Sequence, residues 1–449
     1  MFSPMGQMNW HTLLSDRRLE REVSSLPSFR SRVRNEFERD YDRMVFSAPF
    51  RRLQNKAQIF PLPGTIFVHN RLTHSLEVSC VGRSLGNIVT SGLRERYEAL
   101  PFYDSDIANI VSAACLAHDM GNPPFGHSGE RAISAFFREG AGAEWEDAVR
   151  SEGGRWEDFI RFEGNANAFR LLTHRFEGRR PGGFALTYST LASIVKYPYS
   201  SLSAEGKNKF GYFATEEETF AEIAQHLGIL RLQDSPHVYA RYPLVFLVEA
   251  ADDICYQIMD LEDAYKLRII SYEEVSLLFM SFLDTEEQDT SREVLHSIED
   301  RNERVAYLRS RVINHLTEAC GKAFLEYEPE IMTGEFRSPL VAVIPEAEAY
   351  KAASRYAYKR IYTAQDVVDV ELAGHRVFSE IIERMMHALM HPDNAYSRTF
   401  LNRVSSQYNV HEKTTYGKIQ CTLDYISGMT DLYALDLYRK ITGMNLPFA

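Results

Sequence analysis

Apolar residues recur at three- and four-residue steps along most of this chain, and that period commits it to helices rather than strands. Ile107, Ile110, Val111, Ala114 and Ala117 mark one such helix. Asp104 or Ser105 supplies its start and Gly121 its stop. Residues 73–89, 244–268 and 373–390 read the same way, the last through Val377, Ile381, Ile382, Met385 and Leu389. Strand-like alternation is confined to 60–68 and 340–344. The expected fold class is therefore all-α, with at most short strands.

No run reaches the roughly 18 uninterrupted apolar residues of a membrane-spanning helix, and the one beginning at Leu244 stops at Glu249. The N-terminus lacks a basic segment followed by an apolar one, so the expected location is cytoplasmic, without a membrane partner. Five scattered cysteines with no Cys-x-x-Cys pair argue for reduced thiols and against a zinc ribbon or a disulfide scaffold. A formal charge of -12 speaks against a surface dedicated to duplex DNA. A small phosphorylated ligand needs only a local basic cluster. No linker or repeat divides the chain, which reads as one mostly helical unit, 1–449, with 139–157 and 177–183 as glycine-bearing surface insertions.

The richest segment runs from Ala117 through His118-Asp119 and Pro123-Pro124-Phe125-Gly126-His127 to Gly129-Glu130. Neighbouring helical residues point about 100° apart, so His118 and Asp119 can flank one small ion at an open helix end. An isolated His-Asp pair is more often a hydrogen-bonded core pair, and context decides. His74 opens a second apolar helix, within Arg71-Leu72-Thr73-His74. Asp252, Tyr256 and Asp260 form an i, i+4, i+8 stripe on a third helix, where a solvated face is the plainer alternative. His74, His118, Asp119 and Asp252 together make a mixed imidazole and carboxylate set for one divalent ion. Mn, Fe, Co, Ni and Zn suit it, with Mg where substrate phosphates add oxygens.

These residues resemble the HD-superfamily deoxynucleoside triphosphate triphosphohydrolases, in particular the bacterial dGTPase-like branch. The resemblance rests on Arg71 to Val78, on His118-Asp119 through Gly126-His127 to Glu130, and on Glu249 to Tyr256. It spans about Asn9 to Leu267 in order and returns weakly at Tyr362 to Gln365 and Glu371 to Gly374. It implies an N-terminal segment, 1–65, that contributes to the pocket, an HD metal-binding core, 66–270, and a C-terminal helical region, 271–449.

The activity implied is metal-dependent hydrolysis of a dNTP, dGTP among the substrates, to deoxynucleoside and inorganic triphosphate by attack at the α-phosphorus. One ion per active site, Mn or Mg first, would serve it. The resemblance makes His127 and Glu130 the catalytic pair, with the imidazole protonating the departing 5′ oxygen. It makes Arg71 and Lys196 phosphate ligands, and Gln58, Tyr256 and Asp260 contacts to the deoxyribose; Glu371 would approach the base. Arg51, Arg52 and Lys56 read with equal weight as part of that cation supply or as a solvated or intersubunit face. His69 fits no ligand role, and Asp253 points to a different helix face from Asp252. Family members are usually oligomers, and some respond to single-stranded DNA or to a second dNTP, so a homo-oligomer with such effectors is the corresponding expectation. The alternatives are an HD phosphohydrolase or phosphodiesterase for another nucleotide, and a dNTP-sensing module without catalysis.

Overall fold

The computed structural model describes residues 6–19, 35–60, 68–97, 104–179, 181–204 and 209–444. Helices dominate them, as the periodicity predicts. The only sheet among the described residues is a two-stranded antiparallel ribbon, Arg231–Asp234 against His237–Tyr239. No helix among them is long and apolar enough to cross a membrane.

Four long helices build the part that matters for the site: Arg71–Arg96, Asp106–Ala117, Val245–Lys266 and Arg301–Glu326. The first begins at a reciprocal cap in which Asn70 accepts the Thr73 N–H and Thr73 binds back to Asn70, satisfying donors that a helix start leaves orphaned. The second is apolar apart from Asp106, Asn109 and Ser112, with Ile107, Ile110, Val111 and Ala114 fully buried. Such a helix can sit only in the middle of a core. It does so between the first and third helices, which fixes its C-terminal end, and with it His118, inside the protein.

A second apolar cluster joins Gly126–Arg138 to the C-terminal helices Gln365–Met390, Thr415–Ser427 and Asp431–Ile441. Phe378, Ile381, Ile382 and Met385 are fully buried in it. The C-terminal region therefore packs directly on the helix that follows the His127 turn.

Several local expectations are corrected. The segment 139–157 is not a loose insertion: Val149 and Trp156 are buried, and the Trp156 ring meets Phe137 edge-on at 5.7 Å. Its glycines flank a helix, Glu146–Ser151, whose apolar residues had somewhere to go. At 340–344 the chain makes a 3-10 turn, Leu340–Ala342, with Leu340 and Val341 buried. Five residues are too few to separate alternation from a buried turn. The strand expected at 60–68 falls largely outside the described residues. Gly121 does not stop its helix, which ends at Ala117; the position of its missing Cβ lies 2.1 Å from the Ala168 backbone nitrogen. The five cysteines are free thiols, four of them buried.

Candidate metal centre and nucleotide pocket

His74 lies one turn into the 71–96 helix, His118 caps the C-terminal end of the 106–117 helix, and Asp252 projects from the middle of the 245–266 helix. One ligand atom from each of the three lies within 4.8 Å of the others. His74 Nε2 stands 3.0 Å and His118 Nε2 3.5 Å from the same Asp252 oxygen, Oδ1.

The donor set fits a divalent ion, and His118 gives the clearest sign. Its Nδ1 donates to the Cys115 carbonyl at 2.6 Å, which leaves Nε2 as the ring's free acceptor. That nitrogen is buried without a hydrogen-bond partner, a costly state for a polar atom unless a ligand fills it. Burial by itself would lower the pKa of His118, yet Asp119 and Asp252 push it up to about 9. Two carboxylates thus create a field that attracts positive charge, whether a proton or a metal.

Asp119 stands beside this group rather than within it. Its Oδ1 is 3.6 Å from His118 Nε2 and accepts from the Asn122 amide, while Oδ2 is paired with Arg71 Nη1 at 2.6 Å. Burial disfavours its charge, but Arg71 and the two histidines hold its pKa down at about 2.

The cluster opens into a cavity of about 360 Å³, within the size range of small-molecule sites. Gln58, Arg71, His118, Asp119, His127, Glu130, Lys196, Asp252 and Tyr256 all line it. Asp260 does not line it; it is buried and accepts the Tyr362 hydroxyl at 2.7 Å. Asp253, expected on another face, does line the cavity, and burial pushes its carboxyl up to about 7. Lys56 is no solvated cation at 2% exposure. His69, which fitted no ligand role, bridges two helices through Glu77 at 3.1 Å and Asp263 at 2.8 Å.

Across the cavity, His127 Nδ1 lies 3.2 Å from Glu130 Oε2, one turn along the Gly126–Arg138 helix. The Glu130 carboxylate beside it raises the His127 pKa from its ordinary value. Glu130 Oε1 in turn accepts the Gly164 N–H at 3.0 Å. Gly126 has φ 58°, and a Cβ there would lie 2.3 Å from Arg71 Nη2, so a residue without a side chain lets the guanidinium lie against the turn.

Cations face the phosphate-sized space in pairs with carboxylates: Arg71 with Asp119, Lys196 with Glu249 at 3.1 Å, and Lys209 with Glu163. Lys209 and Glu163 carry no periodic or motif signal of their own. Glu163 lies in the segment Phe162 to Asn167, which looks family-like without declaring a role.

The HD domain family matches residues 71–180, and the phosphohydrolase-associated domain matches 343–440. A "Deoxyguanosinetriphosphate triphosphohydrolase-like protein" of Pseudomonas aeruginosa is 38% identical over 457 residues, covering 98% of this chain and 100% of its own length. The chain belongs to the HD-superfamily deoxynucleoside triphosphate triphosphohydrolase family. Like-named proteins of Synechocystis and Listeria monocytogenes are 36% and 33% identical, each with the same 98% and 100% coverage. As a family member the chain is a metal-dependent HD phosphohydrolase, and the matched HD segment begins at Arg71 and contains His74, His118, Asp119, His127 and Glu130.

Proposed function

We propose that this protein hydrolyses a deoxynucleoside triphosphate, dGTP among its substrates, to the deoxynucleoside and inorganic triphosphate. The observation that carries the reading is that His118, Asp252 and the His127–Glu130 pair line one cavity with three basic side chains, while buried His74 closes the ligand cluster behind Asp252. His74, His118 and Asp252 would hold one divalent ion, Mn or Mg first, with Asp119 as the adjacent fourth donor. When bound, that ion supplies Lewis acidity toward a phosphate oxygen and an attacking water.

The chain's own residues account for the remaining demands. Arg71, Lys196 and Lys209 give a triphosphate its charge partners, exchanging carboxylate contacts for phosphate ones. Water adds to the α-phosphorus as the bond to the 5′ oxygen breaks, and the alkoxide that leaves needs a proton. His127 supplies it, since the Glu130 carboxylate favours the protonated imidazole and hydrogen-bonds its Nδ1. Tyr256 on the cavity wall and Gln58, whose buried Oε1 has no hydrogen-bond partner, face the deoxyribose. Asp260 supports that wall through Tyr362, whose ring lies 6.0 Å from that of Tyr256.

The test is to incubate purified protein with each dNTP and Mn²⁺ or Mg²⁺ and to separate the products. Triphosphate and deoxynucleoside are expected in equal amounts. Orthophosphate or pyrophosphate would instead indicate a phosphohydrolase of another bond, and tight binding without turnover a sensing module.

A further inference from the structure

The turn that carries His127 is held from outside its own segment. Phe125 sits at φ 62°, a left-handed conformation costly for a bulky L residue and kept only where surroundings enforce it. Its N–H donates to Asp431 Oδ1 at 3.0 Å, while Asp431 Oδ2 accepts the Ala57 N–H at 2.8 Å. Asp431 opens the helix Asp431–Ile441 and is buried. Alongside, Lys56 Nζ donates to the Asn122 carbonyl at 2.6 Å and to the Ser427 carbonyl at 2.7 Å. Two buried ionisable side chains thus tie three stretches of backbone: the 56–58 segment, the 122–126 turn and the 427–431 turn.

The first two of these stretches lead into the cavity. Ala57 adjoins Gln58 and bridges to Asn70, which precedes Arg71. Phe125 precedes Gly126 and His127. His74, His118 and Asp252, by contrast, make no hydrogen bond to this tie among the described residues. They are set by their own helices.

We propose that Asp431 and Lys56 are positioning residues, through which the C-terminal region aims His127. The proposal deepens the functional reading above and rests on His127 acting as proton donor. A buried carboxylate accepting two backbone N–H groups, one of them on a strained residue, is suited to hold a turn that its own sequence would not keep. Displacing that turn by a fraction of an ångström would misalign the proton donor while leaving His74, His118 and Asp252 in place.

Two variants test it. Asp431→Asn keeps the shape but offers one acceptor oxygen, so one N–H must be abandoned. Lys56→Met keeps the aliphatic stem and removes the donors. In both, kcat per metal-loaded site should fall by about tenfold or more while KM moves by less than about threefold and Mn²⁺ affinity is unchanged. Hydrogen–deuterium exchange should quicken over 120–130 and not over 74–89. Wild-type kcat per metal-loaded site would overturn the proposal. So would losses of metal binding and turnover in equal proportion, which mark a merely structural role. If the unmodified protein releases no triphosphate, the functional reading fails, and the exchange comparison still decides whether the tie holds the turn.

Discussion

The two halves of the site are held in different ways. His74, 1% exposed, with His118 and Asp252, is carried by three long helices packed through the main core. His127, 58% exposed by its side chain, stands on a left-handed turn and is kept in place by Glu130 and the Asp431 contact two residues upstream. A cluster meant for a cation gains from rigidity, because its atoms must converge before any ion arrives. A group that must meet a substrate oxygen needs access, and access is incompatible with burial in that core. The difference teaches that affinity for the ion and proton transfer should be separable by mutation.

The largest effect expected is from His118→Ala. With one of three convergent ligands gone, Mn²⁺ affinity measured by calorimetry should fall more than about 100-fold and turnover should vanish with it. Full occupancy in that variant would break the comparison at its root. Next, His127→Ala should keep Mn²⁺ binding and lower turnover by about 10²- to 10⁴-fold, the usual worth of a positioned proton donor. Loss of the metal there would make His127 a ligand and erase the distinction between the halves.

Gly126→Ala sharpens the comparison at the hinge between them. Its Cβ would meet Arg71 Nη2 at a residue held at φ 58°, so unfolding in urea should show a loss of about 1–3 kcal/mol. Turnover should drop while Mn²⁺ affinity holds; undiminished turnover would show that the Arg71–turn contact is dispensable.

The smallest effect concerns the bridge between the two helices that carry His74 and Asp252. Burial works against a charged His69, but Asp263 and Glu77 push its pKa up from 6.5 to about 10. Since the folded value is the raised one, the stabilisation is full below about pH 6.5 and is lost as pH rises through about 10. His69→Gln should therefore cost about 2 kcal/mol near neutrality, and the deficit should close toward pH 10. A deficit that does not depend on pH would assign His69 a packing role instead.

Much of this was legible before any fold was known. The 107–117 and 373–390 periods marked helices because amphipathicity is written within a few turns. His74, His118 and Asp252 could be singled out because polar ligand-type residues interrupt apolar helices there. The failures share a cause as well. Asp260 looks like a wall residue of the pocket in sequence, and nothing local shows that it lies buried behind Tyr362. Residues 139–157 look loose because glycine dominates the local signal, while Trp156 finds Phe137 only in three dimensions. Lys56 reads as a surface cation because its acceptors, carbonyls of Asn122 and Ser427, belong to distant turns.

By itself, then, the sequence determined the helical class, the family and the chemical types available to the site, since each is encoded in short-range pattern and side-chain identity. Tertiary structure decided which of those side chains share one cavity, which carboxylate is spent on an arginine, and that Asp431 reaches across 306 residues of chain to Phe125. Pairings of that kind depend on how whole helices pack, because burial makes each unmet polar group costly and the packed fold alone determines which partner is near enough to meet it.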